Sequence, residues 1–136
     1  MSSSFNKFQP FVANIANGVF NFGSDSLKVA LSNTLPTNTN NKLSDITEIS
    51  YSNCSARAIT TTSSTQSGGV YSLILATLVL TASGTVGPFR YVVIYDDTTS
   101  NKNLIGWYDY GSNLTLAASQ TFTVGFDLSN GILQLQ

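Results

Sequence analysis

Seven carboxylates, one thiol and no histidine are the material from which any reactive centre in these 136 residues would be built. Histidine is the commonest general base and the commonest metal ligand, so the ordinary routes to an activated nucleophile or a transition-metal site are missing. The 19 serines have no base to activate one of them, and no Gly-x-Ser-x-Gly elbow occurs. Asp96-Asp97 is the one adjacent acidic pair. Neighbouring strand residues point to opposite faces, so these two do not share a proton with each other. At the start of a loop, both read as turn formers. A calcium ion held by Asp96, Asp97 and Asp109 would suit that ion's preference for oxygen, but no spaced Asp/Asn loop with a terminal Glu supports it. Cys54 stands alone, which excludes an internal disulfide. With no Lys, Arg or His beside it, it reads as a small buried thiol. Gly68-Gly69 lacks the Walker spacing and its lysine, and reads as a hairpin turn. No catalytic residue, metal or cofactor is assigned.

The aromatic side chains are the remaining chemical resource. There are fifteen, and Tyr91, Tyr95, Trp107, Tyr108 and Tyr110 lie close together in sequence. Three uses fit them: filling a core, stacking a sugar, or making a subunit contact. Packing is the plainest of the three. Phe5, Phe8 and Phe11 form a second group near the start of the chain. They suit either a helix that caps the domain's own core or an arm that docks on a neighbouring subunit.

Composition narrows the partners. Only 10% of the residues are charged, against about 25% in ordinary soluble domains. Ser, Thr and Asn total 48, which makes the surface polar but electrically quiet. Lys7, Lys28, Lys42, Arg57, Arg90 and Lys102 are scattered singly, so neither nucleic acid nor an anionic membrane is an expected partner. No stretch approaches the ~20 apolar residues of a membrane span. The opening Met1-Ser2-Ser3-Ser4-Phe5-Asn6-Lys7 lacks the pattern of a secretory signal. Two glycosylation triplets, at Asn53 and Asn113, are what chance gives in a chain so rich in Asn, Ser and Thr.

These residues need elements to position them, and the hydrophobic period changes once along the chain. Pro10, Phe11, Val12, Ile15, Ala16 and Val19 draw a helical stripe, which the Asn21-Phe22-Gly23 run should end. From Ser26 the period is two. Leu27, Val29 and Leu31 predict a strand, followed by a polar loop over 33–42. Residues 43–49 fit either a short helix or an irregular strand. Segments 57–66 and 70–76 predict a hairpin around Ser67-Gly68-Gly69, and 77–82 a further strand or a continuation past a bulge. Residues 83–88 read as a turn. Residues 89–95 are apolar on both faces, the mark of a strand covered on both sides, either mid-sheet or in a subunit contact. A loop at 96–102, a strand at 104–110, a turn at 111–113 and a strand at 121–128 follow. A last hairpin through Ser129-Asn130-Gly131 leads into 132–135. About eight short strands with turns between them predict an all-β fold, an antiparallel β-sandwich or jelly-roll-like domain. It occupies residues 26–136, behind an N-terminal arm and short helix at 1–25.

Several runs also resemble a known group. They are Ser26-Leu27-Lys28-Val29-Ala30-Leu31-Ser32-Asn33-Thr34, Asp45-Ile46-Thr47-Glu48-Ile49 and Gly87-Pro88-Phe89-Arg90-Tyr91 with Val93 and Tyr95. Leu104-Ile105-Gly106-Trp107-Tyr108-Asp109-Tyr110-Gly111 and Thr121-Phe122-Thr123-Val124-Gly125-Phe126-Asp127 complete the set. Their order along nearly the whole chain resembles small virion structural proteins of tailed bacteriophages. The resemblance implies a capsid decoration, or cement, protein. That is a non-enzymatic domain binding the assembled shell, typically as a homotrimer, with the major capsid protein as partner and the virion as its place. A tail or neck component, or a sugar-binding module for host adsorption, are the alternatives. The candidate interface residues are Phe5, Phe8, Phe11, Tyr91, Tyr95, Trp107, Tyr108 and Tyr110, with no small-molecule substrate expected.

Overall fold

The computed structural model describes residues 4–129 and 131–135. The reading of residues 1–7 as lacking a signal rests partly on Met1–Ser3, and the expected 129–131 turn includes Asn130. Those four residues and Gln136 lie outside the described residues.

The helix comes first and is shorter than expected. After β1 (Asn6–Lys7), α1 runs Gln9–Ala16 with Pro10 in its first turn. It stops at Gly18, whose φ of +75° suits a residue without a Cβ. Gly18 N–H donates to Ile15 O (3.1 Å) and Val19 N–H to Asn14 O (3.0 Å). These two bonds satisfy carbonyls that the helix end leaves open. The stop therefore falls at Gly18, before the Asn21-Phe22-Gly23 run. Phe11 is buried, while Val12 on the expected stripe is 52% exposed.

Ten strands are described, all paired antiparallel. β2 (Leu27–Ser32), β3 (Ala58–Ile59), β7 (Val86–Asp96) and β8 (Leu104–Leu116) join β1 in a five-stranded sheet ordered β1-β8-β7-β2-β3. β4 (Thr61–Ser67), β5 (Val70–Leu75) and β10 (Leu133–Leu135) make a three-stranded sheet ordered β10-β5-β4. β6 (Leu78–Thr81) and β9 (Thr121–Val124) form a ribbon. This is the expected all-β, sandwich-like class.

β7 lies between β8 and β2 in the sheet, and both its faces are covered: the consecutive Val92, Val93 and Ile94 are all buried. The hairpin β4–β5 turns on Gly68 and Gly69, with φ of +58° and +83°. That is the pair of positive angles a type I′ turn requires. The segment expected as one strand over 57–66 changes sheets at Thr60, which separates β3 from β4. Of the two readings of 77–82 the further strand holds, with β6 following Ala76-Thr77.

Three further expectations are corrected. The 111–113 turn does not form, because β8 runs through it as a bulge. Register jumps from Tyr91↔Asp109 to Phe89↔Leu114, so residues 110–113 stand opposite Arg90 alone. The 83–88 turn ends early, with β7 starting at Val86. The last hairpin is also absent. β9 pairs with β6, while β10 crosses to β5 after Ile132 N–H bonds Leu73 O (2.9 Å). Residues 43–49 resolve into a 3-10 turn (Leu43–Asp45) and a single bridge, Glu48 to Ser32. This segment spans the sheet, from Leu43 N–H on Lys102 O (3.0 Å) to Ile49 N–H on Leu31 O (3.0 Å).

The three sheets and α1 close on one core. Phe89 meets Phe122 edge-on at 5.2 Å between the five-stranded sheet and the ribbon. Tyr108 meets Phe126 at 6.3 Å. Phe8, Phe11, Leu73, Leu75 and Leu80 belong to the same buried cluster.

Candidate interaction surface

Most of the aromatic residues proposed for an interface lie inside the molecule. Phe8 is 0% and Phe11 1% exposed, and Tyr91, Tyr95, Trp107 and Tyr108 are also buried. The cause is β1, whose signal is too short to read from sequence. Asn6 pairs with Trp107 and Lys7 with Gly106, and Phe8 N–H donates to Ile105 O (3.2 Å). This pairing sets Phe5 over the bare backbone of Gly106 and against Tyr108, ring centroids 5.4 Å apart. Phe11 packs on Phe20 (5.3 Å) and Phe22 (6.3 Å). Of the two readings of Phe5, Phe8 and Phe11, the cap on the chain's own core is the one the structure shows, and the docking arm is corrected. Tyr91 and Trp107 meet edge-on at 5.8 Å, and burial pushes the Tyr108 phenol up to about 12.

Tyr110 alone of the eight stays exposed. The β8 bulge carries it out of register, and Phe122 braces its ring edge-on at 5.4 Å. A cleft of about 580 Å³ opens there, lined by Tyr110, Leu114, Gln120, Thr121 and Thr123 among others, with no charged side chain. Gln120 fixes the adjoining turn by accepting the Ala117 N–H (2.8 Å). Phe122 and the outward Thr121 and Thr123 were visible as an alternating strand. Their meeting with Tyr110 was not.

The acidic residues are spread out, which corrects the calcium reading. Asp109 binds Arg90 through two bonds, of 2.8 and 3.1 Å. It also accepts the Gly111 N–H (2.8 Å), pinning the base of the bulge. The Arg90 guanidinium holds the Asp109 carboxyl below its ordinary range. Asp96 lies five residues along β7 from Tyr91, the partner of Asp109, or roughly 17 Å away at strand rise. Asp97 engages Lys102 (2.8 Å) and Lys28 (3.4 Å). Among the described residues no three His, Cys, Asp or Glu side chains gather to hold a metal. Burial pushes the half-buried Cys54 thiol up, away from the reactive thiolate.

Sequence reading missed an open strand edge. β4 is the outer strand of its sheet and pairs only with β5. Its residues Thr61-Thr62-Ser63-Ser64-Thr65-Gln66-Ser67 include no charge and no proline, and most are exposed or half-buried. Among the described residues, no backbone group of another element bonds its outer edge. A free edge of this length is a ready template for a further strand.

The fold and these surfaces define an all-β protein with a neutral strand edge and an uncharged cleft beside Tyr110. No family model, curated protein or solved structure matches the chain.

Proposed function

We propose that this chain is a non-enzymatic virion structural protein. It decorates the capsid of a tailed phage and stabilises the assembled shell through contacts with the major capsid protein and its own copies, as a homotrimer. The observation that carries this reading is the β4 edge: seven neutral residues with unpaired backbone along one side. Strand addition there gives directional hydrogen bonds without a charged surface to repel an identical neighbour. About 1,600 Å² of contact makes a standard stable interface, and repetition over a shell multiplies it. The sequence resemblance to phage virion proteins supports the same role.

Light scattering on the purified chain, followed by binding to phage heads lacking it, tests the proposal. Trimers that bind heads and raise their disruption temperature are expected. A strict monomer that leaves heads unchanged would overturn it. A second reading, a sugar-binding module, is favoured by the uncharged Tyr110 cleft. Its test is retardation on glycan columns that Tyr110→Ala abolishes.

A further inference from the structure

We propose that Asp96 keeps a proton on its orphaned oxygen and donates it to the Asp25 carboxylate, forming a pH-operated latch between the N-terminal segment and the β7–β8 hairpin. The inference goes beyond the structural role above and does not depend on it. Asp96 ends β7 and is 0% exposed. Its Oδ1 accepts the N–H groups of Thr98 (2.9 Å) and Thr99 (3.4 Å). Its Oδ2 has no donor among the described residues, and the Asp25 carboxyl lies within hydrogen-bonding range of the Asp96 carboxyl. Two ionised carboxylates so placed repel each other with little water to screen them. One proton between them replaces the repulsion with an O–H···O hydrogen bond and gives the orphaned oxygen a partner.

The surrounding charges do not offer another solution. Asp97 is the adjacent acid, and both nearby cations are engaged with it: Lys102 from the hairpin loop and Lys28 from β2. The register partner across β2 is Leu27, and Asn103, which accepts the Asp96 N–H (2.9 Å), is neutral. Burial first, and then the Asp25 carboxyl, push Asp96 up to about 7.

The latch closes a defined piece of structure. Asp25 Oδ2 accepts the Asn21 N–H (2.9 Å) and Asp25 N–H donates to Asn21 O (2.8 Å). On its far side Ser26 N–H donates to Thr98 Oγ1 (2.8 Å) and Asp97 N–H to Ser26 O (2.8 Å). The turn so held presents Phe20 and Phe22 to Phe11. Because the folded chain holds the proton more tightly than an ordinary carboxyl does, the stabilisation is complete below about pH 4. It is lost as pH rises through about 7.

The absence of histidine makes the test clean, since no other side-chain type ordinarily titrates between pH 5 and 8. The melting temperature of the full chain is expected to fall on the order of 5 °C between pH 5 and pH 8. Asp96→Asn keeps a neutral hydrogen-bonding group there, and should abolish the fall and melt above the native chain at pH 8. Asp25→Asn should also reduce the fall. In the native chain labelled with ¹³C-aspartate, one carboxyl carbon should titrate near pH 7. Equal melting temperatures at pH 5 and 8, with no carboxyl carbon titrating between them, would overturn the latch. So would a fall that persists in both variants. Calcium that restores the pH 5 melting temperature at pH 8 in the native chain, but not in Asp96→Asn, would overturn it in favour of a cation site.

Discussion

The two larger sheets of this molecule end in different ways. The five-stranded sheet is bounded by β1 and β3, each only two residues long. A cation stands at each boundary: Lys7 within β1, and Arg57 just before β3. The Arg57 guanidinium lies 3.7 Å from the Tyr51 ring centroid and donates to Val29 O (2.6 Å). Tyr51 itself accepts the Leu31 N–H (2.9 Å) and donates to Glu48 (2.8 Å), so further edge groups of β2 are satisfied locally. The three-stranded sheet ends in β4, seven residues without a charge. Short edges and charged edge residues are the usual defences against unwanted pairing. Both margins of the five-stranded sheet have them; in the three-stranded sheet the short β10 does and β4 does not. Both sheets feed one core, so the contrast lies at their margins: the five-stranded sheet is closed at both, and the three-stranded sheet leaves the β4 backbone edge open.

Substitutions inside the closed sheet should break this contrast most severely. Phe11→Ala removes a ring 1% exposed between α1 and the core, and should cost about 3–5 kcal/mol in urea unfolding. Ile94→Ala, at the centre of β7, should cost about 2–5 kcal/mol. If Phe11 instead served a neighbouring subunit, its replacement would weaken assembly and leave the isolated chain unmoved.

The contrast also explains which features were readable. Two-sided burial of β7 showed in its composition, because a strand apolar at consecutive positions has no face to give to water. The Gly68-Gly69 turn showed because few residue types tolerate two positive φ angles in succession. The break at Thr60 left no local mark, and the possible break before 77–82 did not say which sheet would receive the strand, since each strand keeps its own alternation in either sheet. Whether Phe5, Phe8 and Phe11 formed a cap or an arm stayed open in sequence, because the pairing that settles it involves only Asn6 and Lys7 and, for Phe5, the bare backbone of Gly106. The Asp25–Asp96 pair joins residues 71 positions apart, and Asp96 stood in sequence beside a different acid. Edge exposure is likewise a property of sheet order, so the β4 strand looked like any other run of Thr and Ser.

A smaller effect should follow at the opposite margin of the open sheet. Gly131 has a φ of +83°, and a Cβ there would press on the Leu73 carbonyl. Gly131→Ala should cost about 1–3 kcal/mol and act locally. Amide exchange at Leu133 and Leu135 should quicken while that of Val92 and Ile94 stays slow. Equal acceleration everywhere would mean that the three-residue β10 supports the whole core.

The least effect on the isolated chain is expected where the effect on assembly is greatest. Thr62 and Thr65 are exposed on β4, so Thr62→Lys with Thr65→Lys should change unfolding free energy by no more than about 0.5 kcal/mol. The two lysines give β4 the protection that Lys7 and Arg57 give the other sheet, by setting like charges against each other when copies approach. Light scattering should then report monomers where the native chain associates, with an unchanged melting curve measured at low concentration. Association that survives both lysines would place the contact elsewhere, and the difference between the two sheet edges would have no bearing on how the molecule meets its partners.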